Sequence, residues 1–161
     1  RLVQEAYGGT LACHRLYGFD PQFILHKGLW CTETPLISST LIEPILPRAG
    51  IFTGRSPAEM GLAFELLGWD LPNRFVAVSE DPALDKPNPT KLIYIVEQLN
   101  CYYPVYFGDT RDDLELVKNY RCQTGKQMDF CLIENEYNIN GYDLAMPSVE
   151  HMLKILEKEN E

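Results

Sequence analysis

The sequence predicts an α/β fold built on a mainly parallel sheet, and three observations carry that prediction. From residue 50 onward, short runs of β-forming apolar residues alternate with stretches of helical spacing, the pattern of repeated strand–helix units. Turn chemistry follows each candidate strand at once, as at Thr53-Gly54 and Gly108-Asp109. The conspicuous polar motifs fall where those strands end, at the carboxyl edge where open α/β sheets bind ligands. Composition agrees with this class. A chain of 161 residues that is 45% hydrophobic can bury a real core as one ordinary domain, or as one domain plus part of another. No apolar run is long enough to read as a membrane span. A net charge of -9 argues against a nucleic-acid surface and against anionic lipid. It does not argue against an anionic substrate, because a local cation site overrides the global field.

Residues 1–17 have helical spacing through Leu2, Ala6, Leu11 and Leu16, weakened by Gly8-Gly9 and stopped by Gly18. Pro21, Gly28 and Pro35 make the next stretch irregular, and residues 36–46 read as a helix interrupted at Pro44. Gly50 to Arg55 forms a short strand ending in Thr-Gly. Ser56 as N-cap and Pro57 at the first helical position then start a helix that Gly68 closes. Phe75 to Val78 is a second strand. Asp85-Lys86-Pro87-Asn88-Pro89 fits no regular element. A helix from about residue 90 to 99 follows it and points Leu92, Ile93, Ile95, Val96 and Leu99 inward. Val105 to Phe107 is the third strand, with a helix behind it to about Tyr120, and Asp129 to Ile133 is the fourth. A loop leads to Pro147-Ser148, which caps a last helix over 149–158 with a charged, solvated tail.

Five cysteines (Cys13, Cys31, Cys101, Cys122, Cys131) are an odd number without a C-x-x-C pair. They suit reduced thiols and a cytoplasmic setting better than a disulfide framework. His14 and His26 have no partner at ligand spacing. The chain begins without Met, inside a predicted helix, and is expected to be a piece of something longer.

The most informative stretch is Val105-Tyr-Phe-Gly-Asp109-Thr110-Arg-Asp112-Asp113. Gly108 turns the chain sharply, Thr110 N-caps the following helix, and Asp109 and Asp113 are aimed at one point. Converging carboxylates repel unless a cation or proton lies between them, and oxygen-only ligation suits Mg²⁺. A plainer reading stands beside this one. Thr110-x-x-Asp113 is also a variant capping box, and acidic residues favour a helix N-terminus on dipole grounds alone.

Three pieces in order resemble the haloacid dehalogenase-like (HAD) phosphohydrolase superfamily, in its capped subfamily I form. Ile51-Phe52-Thr53-Gly54-Arg55 is similar to its second motif, Lys86-Pro87-Asn88-Pro89 to its third, and Gly108-Asp109-Thr110-Arg-Asp-Asp113 to its fourth. The resemblance implies a Rossmann-like three-layer core over 47–161, and a remnant of a helical cap with its return linker over 1–46. It implies Mg²⁺-dependent hydrolysis of a small phosphorylated metabolite through an aspartyl-phosphate. Thr53, Lys86 and Asp109 would be catalytic, Thr53, Gly54 and Lys86 would hold phosphate, and Asp109 with Asp113 would hold the metal. Arg55 is a candidate substrate contact, with a surface ion pair as the competing reading, and Trp30 belongs to the cap or its hinge.

The family's first motif, Asp-x-Asp, has no counterpart here. Asp20 is the only Asp before Thr53, and it precedes Pro21 in a loop. That motif lies on the central strand, so the sheet is expected to lack its middle strand and to expose two edges. A missing N-terminal segment or a second chain would supply it. Rival readings are a non-catalytic phosphate-binding or regulatory module, and another HAD chemistry such as a phosphomutase or dehalogenase. A two-component receiver also places acidic residues and Lys at strand ends, but Lys86-Pro-x-Pro does not suit it.

Overall fold

The computed structural model describes residues 1–134 and 138–158. The elements in order are α1 Leu2–Tyr17, α2 Ser39–Ile42, β1 Ile51–Phe52, α3 Pro57–Leu67, β2 Val76–Ala77 and α4 Thr90–Leu99. They continue with β3 Val105–Gly108, α5 Arg111–Thr124, β4 Asp129–Ile133, β5 Leu144–Met146 and α6 Val149–Lys158. The fold is α/β with parallel strands and flanking helices, in agreement with the sequence. The charged tail at 159–161 lies outside the described residues. Contacts divide the chain into two compact units, Arg1–Pro35 with Ser56–Trp69, and Leu36–Arg55 with Asp70–Glu161. The two units are interleaved along the chain.

The second unit carries every strand among the described residues. β1 pairs with β2 in parallel, Ile51 opposite Val76 and Phe52 opposite Ala77. β3, β4 and β5 form a separate parallel sheet in that order, with Val105 opposite Asp129 and Cys131 opposite Leu144. β5 was not anticipated from sequence. Its residues are only half-buried and follow a polar loop, so no period-2 signal marks them. The core beneath the strands gathers Phe52, Ala77, Leu92, Ile95, Val96 and Leu116 with Tyr120 and Phe130. On α4, Leu92, Ile95 and Val96 are buried, while Ile93 and Leu99 pack against the same cluster. That is the inward face its helical spacing prescribes.

Among the described residues no ladder joins β1 to β3. Between them lies a cavity of about 610 Å³, lined by Phe52 and Gly50 on the β1 side, Tyr106 and Val105 on the β3 side, and Leu92 and Ile95 of α4. A side chain at Gly50 would collide with Ile95 Cγ2, 2.4 Å from the position of its Cβ.

In the first unit α1 is kinked at Gly9, whose φ of 54° and ψ of -159° leave the helical region. The kink displaces the predicted apolar face. Leu2 and Leu11 are exposed, and the buried positions are Glu5, Gly8, Gly9, Ala12, Cys13 and Leu16. Ala12 and Leu16 pack with Leu62 of α3, and Tyr7, Tyr17 and Trp30 close around them. Ser56 and Glu59 form the capping box that starts α3. Gly68 ends α3 in the left-handed conformation that favours glycine, and Gly18 does the same for α1.

Glu5 is fully buried and holds the loop after α1. One carboxylate oxygen accepts the amides of Gln22, Phe23 and Ile24, and the other accepts Arg1 Nε at 3.0 Å. Burial alone would raise its pKa, but these donors outweigh it and hold the carboxyl at about 2. His14 lies 3.3 Å from Asp20, and His26 Nδ1 accepts the Gly28 amide at 2.8 Å. All five cysteines are free thiols.

Candidate functional site

The site is assembled by the carboxyl ends of β1 and β3 and by the loop between β2 and α4. Thr53 follows β1, its amide bonded to Ala77 O at 2.9 Å, which extends the pairing with β2 by one residue. Its hydroxyl oxygen accepts the Arg55 amide at 3.3 Å, and a hydroxyl that accepts in this way keeps its proton for a ligand. On the other side β3 ends at Gly108, where a Cβ would lie 2.5 Å from Asp113 Cβ. Only glycine allows that approach. Thr110 then caps α5 and forms a reciprocal capping box with Asp113.

The loop is held rigidly. Asn88 donates its side-chain amide to Ala83 O and accepts the Thr90 amide, while Asn119 Nδ2 reaches Pro87 O at 3.0 Å. The Lys86–Pro87 peptide is cis. Lys86 emerges beneath the two strand ends, its ammonium 5.6 Å from the Phe52 ring centroid and 5.9 Å from that of Tyr106. A cation at such a distance is attracted by a ring face.

A hollow of about 220 Å³ results, lined by Thr53, Gly54, Asp85, Lys86, Thr110 and Asp112. The expected phosphate-binding residues Thr53, Gly54 and Lys86 therefore meet in one place, although Lys86 lies on a different segment from Thr53-Gly54. Asp109 follows directly after β3 and is exposed.

Asp113 is different. It is 3% exposed, and both its oxygens are heavily engaged. Oδ1 accepts Lys86 Nζ at 2.7 Å and the Tyr106 hydroxyl at 3.0 Å. Oδ2 accepts the Thr110 hydroxyl at 2.6 Å and the amides of Asp109 and Thr110 at 3.3 and 3.2 Å. Burial pushes its carboxyl up, but the hydrogen bonds from Lys86 and Thr110 and the Lys86 charge pull it below the usual carboxylate range. Burial beside the same carboxylate raises the Tyr106 phenol.

This arrangement bears on the expected metal. A carboxylate has about four lone-pair sites, and the Asp113 donors occupy them. Among the described residues no cluster of three or more His, Cys, Asp or Glu side chains is placed to hold an ion. The donor set therefore fits a metal only in part, with Asp109 as the exposed carboxylate.

Sequence reasoning missed Tyr106, Asp85, Ser79 and Lys91. The Ser79 hydroxyl donates to Asp85 at 2.5 Å, and Lys91 Nζ donates to Val78 O at 2.6 Å. These partners meet across irregular turns rather than within one helix or strand, so no periodic spacing signals them. Tyr106 reads in sequence only as a strand aromatic.

No protein-family model matches the chain, and no curated protein matches it. Solved structures do. The structure of Northeast Structural Genomics Consortium target ZR25 superposes with a TM-score of 0.68 at 17% identity, over 97% of this chain and 51% of that one. Phosphatase Tt82 from Thermococcus thioreducens superposes with a TM-score of 0.63 at 25% identity, over 90% of this chain and 62% of that one. This chain thus spans 51% and 62% of those two structures, and it shares with both an α/β fold of parallel strands flanked by helices.

Proposed function

We propose that this chain carries the phosphate-handling part of an HAD-like, Mg²⁺-dependent phosphatase acting on a small phosphorylated metabolite. The observation that carries the reading is the convergence of Thr53, Gly54, Lys86 and Thr110 on one hollow at the strand ends. The Thr53 hydroxyl and the Gly54 backbone suit phosphoryl oxygens, and Lys86 supplies a point charge that stabilises the developing transition state. The likeness to Tt82, named a phosphatase, supports the same reading. So do the motif order and spacing.

Mg²⁺ enters here on charge grounds. Asp112 shares the hollow with Lys86, whose ammonium is already paired to Asp113, so an incoming phosphate needs a further cation. Asp109 would hold it, with Asp113 fixing the Asp109 backbone by accepting its amide. Mg²⁺ would supply charge neutralisation at the phosphoryl group, keeping water in its shell and taking one or two protein carboxylates.

The nucleophile of an aspartyl-phosphate route would come from a central strand seated between β1 and β3. The apolar cavity there supports that arrangement, because it lies between two strand edges that share no ladder. The strand would be an additional segment of the protein or part of a second chain. A second reading is a phosphate-binding module without turnover. It is favoured by the engagement of Lys86 and Asp113 with each other.

A phosphate-release screen on the natural full-length protein with Mg²⁺ separates the two. Turnover that collapses in Asp109→Asn and falls by about 3 kcal/mol of transition-state stabilisation in Lys86→Ala supports the phosphatase. Phosphate binding without release supports the module. Less than about a twofold loss in Lys86→Ala makes it an ordinary loop lysine.

A further inference from the structure

Lys91 is the second residue of α4, where a positive charge opposes the helix dipole. Its side chain is nevertheless folded inward, only 17% exposed. Nζ donates to Val78 O at 2.6 Å and lies 3.4 Å from Asp85 Oδ1. The other Asp85 oxygen accepts the Ser79 hydroxyl at 2.5 Å, and the Ser79 amide donates to Arg55 O at 2.8 Å. Three chain segments are tied around one carboxylate: the exit from β1, the exit from β2 and the start of α4. The residue after that carboxylate is Lys86, and both line the hollow.

An uncompensated carboxylate in the wall of an oxyanion site repels its ligand, and the repulsion grows as the site loses water. The dipole cost of Lys91 at this position is offset if its charge is needed there. We propose that Lys91, with Ser79, neutralises and holds Asp85, making Lys91 a positioning residue that fixes the Lys86 loop and lets the hollow accept an anion. Lys91 acts through Asp85 and touches no ligand itself. The proposal rests on the reading of the hollow as a phosphate site.

The test is a calorimetric titration of the chain with inorganic phosphate, comparing wild type, Lys91→Met, Asp85→Asn and the double variant. Lys91→Met weakens phosphate binding roughly fivefold, the scale of a partly exposed charge pair. Removing Asp85 as well restores binding to within about twofold of Asp85→Asn, because the unpaired charge is gone. Unchanged affinity in Lys91→Met overturns the proposal. So does a double variant that binds no better than Lys91→Met, since a merely structural lysine is not rescued by deleting Asp85. Absence of phosphate binding by the wild type would instead refute the phosphate reading. Amide exchange, which needs no ligand, then decides whether the clamp exists. Faster exchange at Ser79 and Asn88 in Lys91→Met, with Leu116 unchanged, supports it, and identical exchange overturns it.

Discussion

Replacing Asp113 by Asn separates two roles that the sequence could not separate. A carboxylate placed among other acids to await a metal is strained without it, so neutralising it leaves a metal-free protein as stable or makes it more stable. A carboxylate saturated by donors behaves in the opposite way. Asp113→Asn loses the ion pair to Lys86 at 2.7 Å and turns an acceptor oxygen into an NH₂ group that faces donors. Either orientation of the amide opposes N–H or O–H groups. Breaking a buried pair costs roughly 3–5 kcal/mol. Lys86 retains 22% exposure, which lets water compensate in part, so the loss expected is about 2–3 kcal/mol. Urea denaturation in chelator, followed by far-ultraviolet circular dichroism, measures it as a lower midpoint at unchanged slope. The pH dependence gives an internal check. The Asp113 pKa is depressed in the fold, so its contribution is complete above the ordinary carboxylate range and is lost as pH falls below it. The variant lacks that loss. Stability equal to or above wild type in chelator would refute the structural account of Asp113.

Two further substitutions probe the scaffold. Gly108→Ala drives a Cβ to within 2.5 Å of Asp113 Cβ and is expected to destabilise by about 1–3 kcal/mol in the same assay, with Lys86 displaced. A neutral result would mean that the strand end yields easily. Glu5 has a folded pKa of about 2, below its unfolded value, so it stabilises the first unit above the ordinary glutamate range and ceases to do so as pH falls toward 2. Protection of the Gln22 and Phe23 amides, taken against their intrinsic exchange at each pH, should fall across that window in wild type and be low throughout in Glu5→Gln. A flat profile in wild type would deny Glu5 its anchoring role.

Much of this fold was legible because its signals are local. Ser56-Pro57 with Glu59, Thr110 with Asp113, and the glycines at 18 and 68 each mark a helix end through a bond or backbone conformation within a few residues. The strand-end placement of Thr53 and Asp109 followed from the same logic. The parts that were not legible depend on distant partners. Glu5 looks in sequence like a polar helix position, and only the return of residues 22–24 makes it a buried anchor. Asp113 looks like a ligand or a cap, and Lys86 and Tyr106 decide how its oxygens are used. β5 lacks a periodic signal because its residues are half-buried and gain their place only by pairing with β4.

The proposed anion site joins residues at the ends of β1 and β3 to the Lys86 loop. Titrating inorganic phosphate into the isotopically labelled chain, with amide and lysine side-chain resonances observed by nuclear magnetic resonance, tests it most directly. Saturable shifts concentrated at Gly54, Lys86 and Thr110, and lost in Lys86→Ala, are expected. Shifts scattered over surface lysines, or none at the hollow, would contradict it.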